Sequence, residues 1–255
     1  RQRSQTMRWQ LRSVFRVPRS AWLPGLLAFG VSGSAVAQVG HNPSSSPYRD
    51  ITNGKSITVF YSDVGGDGGK VGVGPHHGTA WGARFDVRLS APLQFALGFE
   101  RARLERFVVS ADDSVATRKT GPFDQDLTMI EATMQLNLTG KKTWHRLAPF
   151  ISGSAGWTKG SDLPKGVADS SGFKFGSKLY LVPAVGVRAF VTQSLFLRLE
   201  ARQVFWKLNY PTAYTQEPAA QPSTDPNKPN AVLPDGKRTQ WSGVRELRVG
   251  VGFAF

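Results

Sequence analysis

Hydrolysis or acyl transfer by a serine requires a base beside the hydroxyl, and histidine is the usual one. The chain has four histidines, His41, His76, His77 and His145. His76 and His77 fall in one predicted loop and Ser110, Asp112 and Ser114 in another, so only a fold joining those loops could assemble a triad, and the spacing does not specify it. Cysteine is absent, which excludes disulfides and thiolate metal sites. Gly54-Lys55-Ser56 ends like a phosphate-binding loop, but Arg49 stands where that loop needs its first glycine, and no helix is expected to follow. Gly65-Gly66-Asp67-Gly68-Gly69 resembles one calcium-binding repeat, yet a single copy has nothing to stack on and reads as a flexible loop. The sequon Asn137-Leu138-Thr139 belongs to a predicted strand. No catalytic, cofactor-binding or metal residue is assigned, and no cofactor is expected.

The other residues with chemical potential are ionic, and each alternates with bulky apolar neighbours. Arg84, Asp86, Arg88 and Glu100 interrupt the first half of the chain in this way, Glu131 and Arg188 its middle. Arg198, Glu200, Arg202, Glu246 and Arg248 do so toward its end. Side chains on a strand point alternately to opposite faces, so strands must position these groups. The final stretch, Leu247 to Phe255, has the clearest pattern: Leu247, Val249, Val251, Phe253 and Phe255 share one face and Arg248, Gly250, Gly252 and Ala254 the other. Seven further strands follow the same rule: Lys55 to about Val64, Trp81–Leu89, Leu93–Glu100, about Asp126 to Leu138, Leu147 to about Thr158, Leu179–Arg188 and Leu195–Arg202. Pro183 removes one ladder donor within the sixth, but the pattern continues on both sides of it.

At 255 residues the chain accommodates one sizeable domain. Its N-terminus reads as a secretory signal over 1–37, with Met7 as the expected start: arginines at 8, 12, 16 and 19, an apolar core from Ala21 to Val31, then Ala35-Val36-Ala37. That core has about half of the ~20 residues a membrane helix needs. Of the formal charge of +14, Arg1, Arg3, Arg8, Arg12, Arg16 and Arg19 account for six, leaving +8 on the remainder. The remaining cations are interspersed with acids and form no basic helix or stripe, so nucleic acid is not expected as a partner. Residues 38–53 are rich in Ser, Pro and Gly and read as a flexible lead-in to a barrel domain over 54–255.

Connections after the first, third, fifth and seventh predicted strands are long, and those after the second, fourth and sixth are short. The longest, Tyr210 to Ser242, is rich in Pro, Asn, Asp and Gln and is expected to be exposed or disordered. Aromatics gather near strand ends: Tyr61, Trp81, Phe107, Trp157, Tyr180, Trp206, Tyr210 and Trp241 toward the loops, and Trp144, Phe150, Phe190, Phe253 and Phe255 toward the turns. Two interfacial girdles would have this distribution.

An even strand count, alternating loop lengths and an alternating last strand ending on Phe255 together resemble the small eight-stranded bacterial outer-membrane β-barrels, the group of the OmpA membrane domain and OmpX. That resemblance covers about residues 54–255. It implies an all-β, antiparallel up-and-down transmembrane barrel in the outer membrane, with Phe253 and Phe255 as the assembly signal read by the barrel-assembly machinery. The implied partners are outer-membrane lipid and lipopolysaccharide, with an unknown surface ligand at the loops. Eight strands enclose only enough room for side chains, so the eleven ionic residues would form a paired interior network and plug the barrel. The resemblance implies a non-enzymatic structural or surface-interaction role. The alternatives are a lipid A-modifying enzyme and a soluble exported barrel that binds a small apolar ligand.

Overall fold

The computed structural model describes residues 46–225, 227 and 229–255. The expected signal segment 1–37 and the first part of the lead-in, 38–45, lie outside the described residues. Ten strands follow in chain order: β1 (Tyr48–Asp50), β2 (Lys55–Gly65), β3 (Gly78–Arg88), β4 (Leu93–Val109), β5 (Lys119–Asn137), β6 (Lys142–Trp144), β7 (Leu147–Gly160), β8 (Ser177–Phe190), β9 (Leu195–Asn209) and β10 (Thr239–Ala254). Eight of them close on themselves, each antiparallel to the next, in the order β2-β3-β4-β5-β7-β8-β9-β10. Closure is made by ten residue pairs between β10 and β2, from Arg245↔Gly65 to Ala254↔Ser56. The short strands β1 and β6 form a ribbon at the turn end, joined to β7 by the pair Trp144↔Leu147.

Alternation in the sequence becomes alternation in burial. Along β2 and β10 every second side chain is buried and its neighbours are exposed. The exposed set is the apolar one: Val59 is 60% exposed, Leu181 53%, Leu199 52% and Val249 55%. The buried set carries the charges. A water-soluble barrel has the reverse polarity, whereas a lipid-facing barrel needs hydrocarbon outside and all backbone polar groups paired within the wall. The chain therefore has the architecture of a membrane-spanning β-barrel. At Pro183 the β8–β9 ladder has a gap: pairing runs to Leu181↔Phe205 and resumes in the same register at Ala184↔Arg202.

Several sequence expectations need correction. The loop expected over Ser110 to Gln125 is shorter, because β4 and β5 continue as a paired ribbon to Val109↔Lys119 across a bulge between Arg106 and Val108. Their 17 and 19 residues exceed the roughly 9–11 that cross a bilayer. Beyond Phe99 and Ile130 the outward face turns polar, which erased the apolar signal while the hydrogen-bond ladder continued. Part of the lead-in is also ordered: Tyr48–Asp50 pairs with β6, and Ile51 is buried. Finally, the long loop 210–242 is not wholly exposed. Tyr214 is 0% and Leu233 3% exposed, since a few apolar residues within a polar stretch suffice to dock it.

The girdles also hold only in part. Tyr61, Trp81, Trp157 and Trp241 at one end and Trp144, Phe253 and Phe255 at the other are exposed, but Tyr180, Trp206, Tyr210, Phe150 and Phe190 are buried. Tyr180, Phe190 and Trp206 have the same parity as the ionic residues on their own strands, and Phe150 that of the buried Ala148 and Ser154 on its strand, so the pleat points them inward regardless of their nearness to a strand end.

Candidate functional site

The lumen is filled in three layers. At the turn end Ile51, Ala148, Phe190, Phe196 and Ala254 form an apolar base. Gly252 faces Phe196 so closely that a Cβ there would overlap the ring. Arg88, half-buried, donates from Nη1 to the Ile51 carbonyl at 2.8 Å and from Nη2 to that of Asn53 at 2.7 Å, which holds the segment across this mouth. Asn53 Nδ2 donates in turn to the Ala254 carbonyl at 2.8 Å.

Above the base lie the other ten residues of the ionic rows, all buried: Arg84, Asp86, Glu100, Glu131, Arg188, Arg198, Glu200, Arg202, Glu246 and Arg248. Five arginines meet five carboxylates, so the layer is formally neutral. Its upper group centres on Glu131, which receives a two-pronged pair from Arg202, with Nη1 to Oε1 at 3.1 Å. Arg202 also faces Glu246 at 3.1 Å, and Arg248 Nη2 reaches Glu100 at 2.6 Å and Glu246 at 2.8 Å. The lower group contains Arg84–Asp86 at 2.8 Å and Arg198–Glu200 at 2.9 Å. Arg188 there has no carboxylate within salt-bridge distance among the described residues; its Nη2 donates to Asn137 Oδ1 at 2.9 Å. Pairing matters because a buried charge left alone costs several kcal/mol.

Neutral groups on the inward face, not singled out from sequence, complete this layer. Gln135 Oε1 accepts from both Arg84 at 3.2 Å and Arg198 at 2.9 Å, while its Nε2 donates to Gln94 and Asn137. Gln135 is four residues from Glu131 on the same strand, so parity places both on the inward face. Aromatic rings carry two of the guanidinium groups: Arg248 lies 3.6 Å above Phe60 and Arg198 4.1 Å above Phe150. Phe60 finds its place because residue 82 is glycine; a Cβ there would approach the ring to 2.6 Å.

The third layer, toward the loops, is apolar. Ala102, Leu104, Leu127, Val204, Trp206 and Leu208 line the wall, and Phe173, Phe175, Tyr214 and Leu233 close over them from the loops. Phe175 meets Trp206 edge-on at 5.3 Å. Tyr214 donates its hydroxyl to the Val109 carbonyl at 2.9 Å, and burial raises its pKa. Burial likewise raises that of Tyr210. Arg106, buried and lying beyond Glu100, where the regular alternation of charged and apolar residues ends, ties a loop down through Asp169 at 2.9 Å. At the rim Lys70 pairs with Asp235 at 2.8 Å, which holds that exposed carboxyl below its ordinary value.

The candidate triad groups are dispersed. His76 Nε2 bonds the Gly72 carbonyl at 2.8 Å and its ring packs edge-on against Phe107. Ser114 Oγ shares a hydrogen bond with Thr117. Among the described residues no histidine is hydrogen-bonded to a serine hydroxyl. At the other end, Phe253 and Phe255 are exposed and stacked at 6.4 Å, and Lys55 and Phe255 exchange backbone hydrogen bonds at 3.0 and 2.9 Å.

No protein-family model matches the chain, and no curated protein does. Among solved structures it is similar to Neisserial surface protein A, at 15% identity and a TM-score of 0.46 over 82% of this chain and 98% of that one. It is also similar to outer membrane protein OprG from Pseudomonas aeruginosa, at 12% identity and a TM-score of 0.46 over 82% and 99%. A major outer membrane protein from Thermus thermophilus aligns at 13% identity and a TM-score of 0.40 over 79% and 99%.

Proposed function

We propose that this chain is a non-conducting structural barrel of the bacterial outer membrane, acting through its folded loop cap rather than through transport or catalysis. The observation that carries this reading is the filling of the lumen: an apolar base, a neutral ionic layer and a loop-sealed apolar layer occupy it in series. An ion entering such a barrel would have to displace either paired charges or packed rings, and both are costly. The lipid-facing exterior supports outer-membrane lipid and lipopolysaccharide as its surroundings. Phe253 and Phe255, outward and stacked on the closing strand, support a role as the segment handed to the assembly machinery. An unidentified surface ligand at the loops belongs to the same reading, with no nucleic acid and no cofactor required.

Single-channel recording in planar bilayers tests this directly. The purified barrel should give no discrete conductance steps, and regular openings of fixed size would refute a sealed lumen. A lipid A hydrolase or acyltransferase assay on the same preparation should show no turnover.

A further inference from the structure

The two ends of the barrel differ in charge. At the loop end acids and bases interleave and pair, as in Lys70–Asp235 and Arg103–Asp126. At the turn end Arg49, Lys55, Lys141, Lys142 and Arg146 are exposed beside a single acid, Asp50, among the described residues. A pocket of about 470 Å³ opens there between the β1–β6 ribbon and the β8–β9 turn. Arg49 and Arg146 stand on it with the hydroxyl-bearing Thr52 and Thr192, and Phe190 and Val191 supply an apolar wall.

Both arginines have donors to spare. Arg49 uses Nη1 on the carbonyls of Ser46 and Tyr48, and Arg146 uses Nη1 on that of Val191 at 3.2 Å; their remaining guanidinium nitrogens have no partner among the described residues. His145 and Arg146 hold φ values of 47° and 65°, a left-handed conformation unusual for two consecutive non-glycine residues. Such local strain persists where the surroundings over-determine it and concentrates at binding sites. Beside the pocket Tyr48 and Trp144 face each other across the ribbon, each 48% exposed, and Val191 is 51% exposed. Amphipathic rings of this kind settle at the level of lipid headgroups.

We propose that this pocket binds the phosphate of an anionic phospholipid in the turn-side leaflet, with Arg49 and Arg146 donating to the phosphate oxygens. Planar guanidinium groups suit phosphate through paired N–H donors, and the flanking aromatics favour a lipid over a soluble phosphate. The inference rests on the membrane-spanning reading.

The test is retention of phosphatidylglycerol against phosphatidylethanolamine, read by native mass spectrometry after release from mixed vesicles. Wild-type protein should retain phosphatidylglycerol preferentially. A cation near a lipid surface contributes about 1 kcal/mol, so Arg49→Gln and Arg146→Gln should each lower retention about fivefold and the double variant about 25-fold. Lys165→Gln, which removes a loop-end charge, should change nothing. An unchanged double variant would overturn the proposal, as would displacement of phosphatidylglycerol from wild type by millimolar inorganic phosphate, which would make soluble phosphate the ligand. If the double variant fails to fold, Asp50→Asn takes its place: removing the pocket's acid must raise retention, and no rise refutes the site. Failure of wild type to enter vesicles at all would instead count against the membrane reading.

Discussion

The middle and upper layers of the lumen solve the same problem with opposite chemistry. Both must fill a cylinder whose wall is already hydrogen-bonded and whose outer face gives its apolar side chains to lipid. The middle layer does so with five arginines and five carboxylates, and its paired groups depend on one another because removing either member of a pair strands a charge. In the upper layer Trp206, Leu208, Phe175 and Tyr214 pack as in a soluble core, where each residue contributes its own burial. The difference teaches that the pleat settles only which side chains point inward. Whether they are charged or apolar depends on what covers them, and the loops cover only the upper layer.

Mutations should separate the two layers, the largest effect first. Glu131→Leu leaves Arg202 and Arg248 short of a shared partner and should destabilise the barrel by about 4 kcal/mol in urea unfolding monitored by heat-modifiable gel mobility. If the loss is under about 1 kcal/mol, the middle layer does not act as a unit. Trp206→Ala opens a cavity in the upper layer and should cost about 3 kcal/mol, with the middle-layer pairs intact. Its combination with Glu131→Leu tests independence: the two losses should add to within about 0.5 kcal/mol, and strong coupling would merge what is here treated as two layers.

Tyr214→Phe removes one hydroxyl bond to Val109 and should cost about 1 kcal/mol, visible as faster proteolysis of the 210–238 loop and not as loss of the barrel. The same tyrosine gives the cap a pH dependence. Its folded pKa is raised by burial, so the stabilisation it provides is complete below the unfolded value of about 10 and is lost as pH rises beyond it. Loop proteolysis should therefore accelerate above about pH 10 while the middle layer holds. At the rim, Lys70→Gln removes an exposed ion pair and should leave the unfolding midpoint unchanged.

The same contrast explains what could be read from sequence. Arg198, Glu200 and Arg202 alternating with Leu197, Leu199 and Ala201 are conspicuous because charge and grease disagree at every step, so the barrel wall and its ionic residues were legible by parity. Tyr180 and Trp206 were misplaced, because their nearness to strand ends suggested an interfacial girdle, whereas their parity with Arg188 and Arg202 puts them in the lumen. Gln135 shares the parity of Glu131 but was not counted in the ionic network, because an amide carries no charge to mark it. The extension of β4 and β5 beyond the bilayer was hidden for a related reason: once lipid no longer faces the strand, as at Arg101 and Arg103, nothing demands alternation. The docking of Tyr214 and Leu233 depends on contacts more than a hundred residues away in the chain, such as that with Val109, which composition cannot foresee.

The central claim is that the apolar rows meet hydrocarbon and the ionic rows meet one another. Because the chain has no cysteine, spin labels can be placed singly at Leu199→Cys and Val249→Cys, on the exposed face, and at Ser62→Cys and Thr133→Cys, on the buried face. In bilayers the first two labels should relax strongly with lipid-dissolved oxygen and the second two should be shielded from it. Oxygen access at Ser62 and Thr133, with shielding at Leu199 and Val249, would contradict the account.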